Sequence, residues 1–318
     1  MLCATIAFLS YRDRAWIDAA LDGVLAQTVP CQLLVSNDAG GDGAFERLRE
    51  RLAGYHGPHR LDLLVEQPCN TGVVGHCNAV LPHASGDIVV MMAGDDVSAP
   101  DRVAKLLAAY EAHPETMAIG TDFVAVDADD QPVAIDFSTR LLHFDLRHLA
   151  RSDRFHTLLG AALSFRREVF SRFGPMVGTV EDNALTLRAC LLGDCRNLTE
   201  PLVRYRQHAG SVSHGVFARS GEGASELRRK RYARTAAFLQ GTADDLANCL
   251  ARMPDLPEAT RRDAERLANM YAAAACMRGG LVEGGFAARW QALRRGLATP
   301  GMGRRSLEYV PKLWWRGG

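Results

Sequence analysis

The sequence predicts an α/β protein with a mostly parallel sheet covered by helices on both faces, followed by a helical C-terminal region. Three observations predict it. Short apolar runs alternate with amphipathic segments through the first 120 residues. The runs are continuously apolar, as strands buried on both faces must be. After residue 221 the chain turns to Ala, Leu and Arg at helical spacing.

Runs at 5–9, 32–36, 61–65 and 87–92 have the length and aliphatic content of strands. Between the first two, Ile17, Leu21, Val24 and Leu25 fall on one helical face. Val103, Leu106, Leu107 and Tyr110 repeat the pattern beyond Pro100, and Asp42 reads as a helix N-cap. From 117 to 136 the helical period fades. Two extended runs there flank Asp127-Ala128-Asp129-Asp130-Gln131-Pro132, a hairpin-turn composition. A strand is expected at 161–166, a helix from Glu181 to a stop at Gly193, and a short strand at 202–206. Residues 222–318 predict three or four helical segments, broken at Pro254, Pro257, Gly279-Gly280, Gly284-Gly285 and Pro300-Gly301. The expected division is 1–220, with halves 1–120 and 121–220, and a helical part 221–318.

Composition narrows the function classes. Of 318 residues, 47% are hydrophobic and 23% charged, with 37 basic side chains against 37 acidic. That excludes general disorder and argues against a nucleic-acid coat. The eight cysteines form no CxxC pair and no zinc-ligand spacing, so reduced thiols and a cytoplasmic location are expected. The apolar start, residues 1–9, falls far short of the roughly 20 residues of a membrane span and lacks a basic leader. It reads as a buried first strand.

Open parallel sheets bind ligands beyond the carboxyl ends of their strands. Four such loops hold unusual polar residues: Ser10-Tyr11-Arg12-Asp13-Arg14, Asn37-Asp38-Ala39-Gly40-Gly41-Asp42, Asn70-Thr71-Gly72 and Gly94-Asp95-Asp96. Adjacent carboxylates such as Asp95 and Asp96 repel unless a cation intervenes, and hard oxygen ligands suit magnesium or manganese. The same pair also fits a solvated turn capping the next helix. Asp38 fits a nucleobase or ribose contact or a self-bonded turn. Asn70 and Gly72 fit a phosphate site at a helix N-terminus or a plain turn. Glu181-Asp182 opens a helix, where the dipole favours carboxylates, and also suits a general base. Tyr205-Arg206-Gln207-His208 with Ser211, Ser213 and His214 makes a polar cluster after a strand.

Taken in order, these motifs resemble the family-two glycosyltransferases, which have the GT-A fold. The series runs through Phe8-Leu9-Ser10-Tyr11-Arg12, Leu25-Ala26-Gln27-Thr28, Ser36-Asn37-Asp38-Ala39-Gly40-Gly41-Asp42, Asn70-Thr71-Gly72, Asn78, Ala84-Ser85-Gly86-Asp87 and Gly94-Asp95-Asp96. It continues through Pro100, Arg102, Phe165-Arg166-Arg167-Glu168-Val169-Phe170, Glu181-Asp182 and Tyr205-Arg206-Gln207-His208. The resemblance covers residues 4 to 214. It implies an inverting transfer of sugar from a nucleoside diphosphate sugar to a hydroxyl of a saccharide or lipid-linked saccharide. It further implies a divalent cation, Mn2+ or Mg2+, on Asp96 with His208 close by, and Asp182, beside Glu181, as base. Ser10, Tyr11, Arg12, Asp38, Asn70, Gly72, Asn78, Asp95 and Arg206 are the implied donor contacts, with residues 1–120 for the donor and 121–220 for the acceptor. Cys77 stands where relatives often have Arg.

Two rival classes share these features: a nucleotidyltransferase, which usually has a Gly-rich basic loop that Ser10–Arg14 lacks, and a non-catalytic module of the same fold. Residues 286–318 hold seven basic side chains, one acidic, and Trp290, Trp314 and Trp315. That stretch fits either a helix packed on its neighbours or peripheral contact with an anionic membrane.

Overall fold

The structure, a computed structural model, describes residues 1–134, 141–152, 154–208, 210, 224–283 and 285–314. Ser211, Ser213, His214, Trp315 and Arg316 lie outside the described residues. The chain divides into two compact units: Met1–Phe144, Thr157–Met176 and Glu181–His208 make the first, and Asp145–His156, Val177–Val180 and Ala209–Gly318 the second.

The first unit is built on β1 (Ala4–Ser10), β2 (Cys31–Asn37), β3 (Arg60–Glu66) and β4 (Ile88–Ala93), each within a residue or two of its apolar run. These four pair in parallel in the order β3-β2-β1-β4. Ile6, Phe8, Leu33, Val35, Val90 and Met92 point to one face. There they meet α1 (Ile17–Leu25), α2 (Ala44–Leu52) and α4 (Arg102–Ala112). Alternation sends Ala7, Leu34, Val89 and Met91, all buried, to the other face, where α3 (Gly72–Val80) packs on β1 and on α7 (Glu181–Leu192).

The sheet continues beyond β4 in a different sense. Strand β8 (Leu163–Arg166) is antiparallel to both β4 and β6 (Thr116–Val126), while β9 (Asp194–Arg206) runs parallel to β6. Two-residue β5 (Val97–Ser98) and β7 (His143–Asp145) add to β9. The final strand is therefore 13 residues long, not the short run read from Leu202–Arg206. Its first half, Arg196, Asn197, Thr199 and Glu200, is too polar to read as a strand. The expected hairpin keeps its turn, with Asp127 Oδ1 accepting from the N–H groups of Asp129 and Gln131. Its return arm is reduced, among the described residues, to one bridge between Val126 and Pro132.

Two capping expectations change. Gly43, at φ 82°, caps α2, while Asp42 accepts from Ala44 N–H and, across the loop, from Arg14 N–H. Asp96 does not cap α4: Gln27 Oε1 takes the Val103 N–H at 3.0 Å, and its amide nitrogen donates to Gly23 and Ala99 carbonyls.

The second unit holds the short α5 (Leu146–Arg151) and four C-terminal helices, α8 (Ala224–Ala251), α9 (Glu258–Glu283), α10 (Phe286–Ala298) and α11 (Gly303–Tyr309). The remaining helix, α6 (Glu168–Ser171), belongs to the first unit. Gly279-Gly280 does not break α9. A Cβ on Gly280 would stand 2.9 Å from Tyr309 Oη and 3.3 Å from Ala292 Cβ, so glycine there permits close helix packing.

Candidate active site

At the carboxyl edge of the sheet, β1 and β2 end side by side. Asn37 Nδ2 donates to Ser10 Oγ at 2.9 Å, and Asp38 N–H donates to the Ser10 carbonyl. The chain then turns sharply, with Arg12 at φ 57° and Ala39 at φ 55°. Tyr11 and Arg12 emerge into solvent, the guanidinium 5.2 Å from the Tyr11 ring centre. Ser10 and Asp38 lie beneath them, each only 2% exposed.

Asp38, expected to face a nucleobase, is spent on protein. Its carboxylate accepts the N–H groups of Thr71 and Gly72 at 3.0–3.2 Å and the Thr71 hydroxyl at 3.0 Å. It caps α3 from another loop, offsetting free N–H groups at that helix start. Asn70 and Gly72 stay exposed at the same turn. The Asn78 amide exchanges two 2.8 Å hydrogen bonds with the Met176 backbone. That clamp, rather than a donor contact, uses both ends of the side chain.

The acidic turn after β4 is more crowded than its two aspartates suggest. Asp13 joins them, 6% exposed, its Oδ2 accepting from Tyr11 N–H. Burial, then Asp95, pushes its carboxyl up to about 8. Burial and Asp95 likewise hold Asp96 well above the ordinary range, opposed by the Arg206 N–H and the Arg102 guanidinium. Asp96 Oδ1 accepts that N–H at 2.8 Å, and Asp95 Oδ2 faces His208 Nε2 at 3.1 Å. Gly94 makes the crowding feasible, since a Cβ there would lie 2.6 Å from Asp13 Oδ2 and 2.7 Å from Ser10 Cβ.

Arg206, expected at the donor, points elsewhere. Its guanidinium donates to the carbonyls of Asp95, Asp127 and Ala128 and to Asp130 Oδ1, and is 1% exposed on its side chain. It ties the 127–130 turn to the acidic loop. Trp16 completes this brace, its ring 4.3 Å from His208 and its Nε1 donating to the Ala128 carbonyl.

Asp182 and Glu181 open α7. Asp182 Oδ2 accepts from Gly160 N–H at 3.2 Å, and burial pushes its carboxyl up to about 6. Burial, then the neighbouring Asp182, pushes Glu181 up to about 8. Gly160 begins a 3-10 turn (Gly160–Ala162) that leads into β8 and packs on β4. In the antiparallel register Ile88 faces Arg166 and Val90 faces Ser164. The turn that Asp182 holds therefore packs on the strand that ends at the acidic turn.

The acidic turn suits a divalent cation in its chemistry: clustered carboxylates, hard oxygen donors and a charge excess that Arg102 offsets only in part. Asp96 Oδ2 takes no hydrogen bond among the described residues. Among those residues no three His, Cys, Asp or Glu side chains already converge as a cage. Two carboxylates supplemented by substrate phosphates is the usual magnesium arrangement.

Sequence reasoning missed Asp13, Trp16 and Gly160 as site residues. Asp13 had a signal, lying three residues past the end of β1 in a loop already suspect. Gly160 had none, because nothing local marks the glycine that must admit Glu181.

The curled sheet, its reversed β8 and the helices on both faces are the GT-A architecture expected from the ordered motifs. The profile of Glycosyl transferase family 2 matches residues 5–174, more than half of the chain, and the chain belongs to that family. EpsE of Bacillus subtilis (strain 168), which carries a glycosyltransferase name, is 29% identical over 120 residues, 37% of this chain. The match spans about two-fifths of that relative, 41% of its length. Among solved structures, S. aureus TarS 1-349 in complex with UDP-GlcNAc aligns over 99% of this chain and 93% of its own, at TM-score 0.56 and 14% identity. Mannosyltransferase PcManGT from Pyrobaculum calidifontis, in complex with GDP-Man and Mn2+, aligns over 99% and 87%, at TM-score 0.50 and 20% identity. At such identities the likeness is one of fold. The chain is thus a family-two member with the GT-A fold.

Proposed function

We propose that this glycosyltransferase moves a sugar, with inversion, from a nucleoside diphosphate sugar to a hydroxyl of a saccharide or lipid-linked saccharide. One observation supports it above the rest: Asp182 holds the Gly160 turn, which packs on β4, the strand that ends at the Gly94-Asp95-Asp96 turn. A base must stand opposite the departing diphosphate for direct displacement, and an acid held to the strand that leads into the acidic turn suits that need.

Residues 1–120 serve the donor in this reading. Tyr11, Arg12, Asn70 and Gly72 are exposed for contact, and Ser10 and Asp38 hold their loops from beneath. Asp96 and Asp95 would hold Mn2+ or Mg2+, whose positive charge offsets charge on the diphosphate. The donor complexes named for TarS and PcManGT, the latter with Mn2+, favour that assignment. His208, tied to Asp95, and Arg206, tied to the Asp127–Asp130 turn, fix the acidic loop in place.

Residues 121–220 serve the acceptor. Asp182 takes the hydroxyl proton as the oxygen attacks the anomeric carbon from the face away from the leaving group. Its Oδ2 is oriented by the Gly160 N–H, and its elevated carboxyl range suits a base working near neutrality. Glu181, held neutral by its surroundings at that pH, adds no second charge beside it.

The test begins with thermal shifts against UDP, GDP, dTDP and CDP with manganese. A ligand at about 100 times its Kd stabilises by roughly 3 kcal/mol, so the matching nucleotide stands out. Anomeric NMR of the product then decides: a product of retained configuration overturns the single-displacement reading. No turnover with any sugar of the stabilising nucleotide supports a non-catalytic module.

A further inference from the structure

The second unit leaves an aromatic cluster in solvent. Phe286, Trp290 and Trp314 are 52%, 47% and 67% exposed. Phe286 lies 6.4 Å, ring centre to ring centre, from Trp290 and 6.0 Å from Trp314. The helix period explains how this arises. Phe286, Trp290, Leu293 and Leu297 fall within about 60° of one another around α10. Only Leu293 of these four is buried, together with Ala292 and Gly296 on the adjoining flank. The apolar sector of α10 is therefore wider than the face the unit covers. Arg289, donating to the Leu313 carbonyl, holds the 3-10 turn (Val310–Trp314) against α10 and so keeps Trp314 beside Phe286.

Charge identifies the occupant. The chain as a whole is neutral, yet residues 286–314 contain six basic side chains, Arg289, Arg294, Arg295, Arg304, Arg305 and Lys312, against Glu308 alone. Arg294, next around α10 from Trp290, is exposed. Amphipathic rings beside excess positive charge match the boundary between headgroups and acyl chains of an anionic bilayer. Among the described residues no helix is long and apolar enough to cross a membrane, so the contact is superficial.

We infer that Phe286, Trp290 and Trp314 form a docking surface for an anionic lipid bilayer, with Arg294 beside them and the net positive charge of 286–314 supplying attraction. The inference stands apart from the transfer reaction, since vesicle binding is read without donor or acceptor.

The experiment is flotation of the full chain with vesicles of phosphatidylcholine alone or with about a third phosphatidylglycerol. The chain is expected to float with the anionic vesicles only, and to be released at roughly 0.5 M salt, where the Debye length shrinks to a few Å. The triple variant Phe286→Ser, Trp290→Ser, Trp314→Ser is expected to bind about tenfold more weakly or worse while keeping the thermal unfolding transition of the parent. Quenching of tryptophan emission by brominated lipid, lost in that variant, is the second readout. A parent chain that stays unbound, a variant that floats like the parent, or equal binding to neutral vesicles overturns the inference. So does a dimer of the parent that the triple variant converts to monomer without any vesicle effect, which would make a second copy the occupant.

Discussion

Gly160 and Asp182 are made for each other: the glycine N–H donates to the aspartate Oδ2 at 3.2 Å, and a Cβ on the glycine would stand 2.6 Å from Glu181 Oε1. The pair separates two properties that are normally confounded, orientation of the carboxylate and its charge. Asp182→Asn keeps an oxygen for Gly160 and removes the proposed base. It is expected to lower kcat by on the order of 10²–10⁴ with donor binding retained, measured by steady-state kinetics and nucleotide thermal shift. Activity near that of the parent removes Asp182 from the role.

The pH dependence follows from the same pair, with activity and stability running in opposite directions. A base with its carboxyl near 6 is ionised above that value, so kcat/KM is expected to rise as pH passes through about 6. Stability behaves inversely. Native-state values raised above the ordinary carboxylate range favour the protonated form in the fold, so this contribution is complete below pH about 4. It is lost as pH rises through about 6 for Asp182 and about 8 for Glu181 and Asp13. Glu181→Gln is therefore expected to stabilise the chain by about 1–3 kcal/mol at pH 9 and by little at pH 4. Chemical denaturation at the two pH values checks the sign.

Gly94 offers a steric test of the acidic turn. Its Cβ position is already occupied by Asp13, Ser10 and, at 3.0 Å, Ile17 Cδ1. Gly94→Ala is expected to cost about 1–3 kcal/mol and to blunt stabilisation by Mn2+. A melt with and without the ion, unchanged from the parent in both, would show that the loop yields.

Arg206 predicts a structural loss rather than a donor-specific one. Arg206→Ala leaves the acceptors on Asp95, Asp127, Ala128 and Asp130 without their buried donor, an expected cost of about 3–5 kcal/mol. Asp130→Asn, removing the half-exposed partner, should cost about 1 kcal/mol or less. The measurement is denaturation, with limited proteolysis near 127–132 reporting release of the turn.

The central strands and first helices were legible because their burial is continuous and periodic, and Ile17, Leu21 and Val24 are buried together as their spacing requires. The loops at the sheet edge were legible because polar residues there interrupt apolar runs. What each polar residue holds was not. Asp38 caps a helix 33 residues away, and Asn78 pairs with Met176, 98 residues away. Such partners are chosen by tertiary approach, and no local spacing encodes them. The first half of β9 escaped for a related reason: it gains strand geometry by pairing with β6 rather than from its own composition.

The Asp96 carboxylate rests on an N–H that comes 110 residues later in the chain. A ribosome that has passed Asp96 has thus translated every residue of the acidic turn without the group that steadies it. Not until β9 has been made and threaded beside β6 can the turn settle, and α7 with its two acids has by then also emerged. Prematurely terminated products ending before Arg206 should accordingly lack a settled acidic turn, which the nascent polypeptide gains in one late step rather than by degrees.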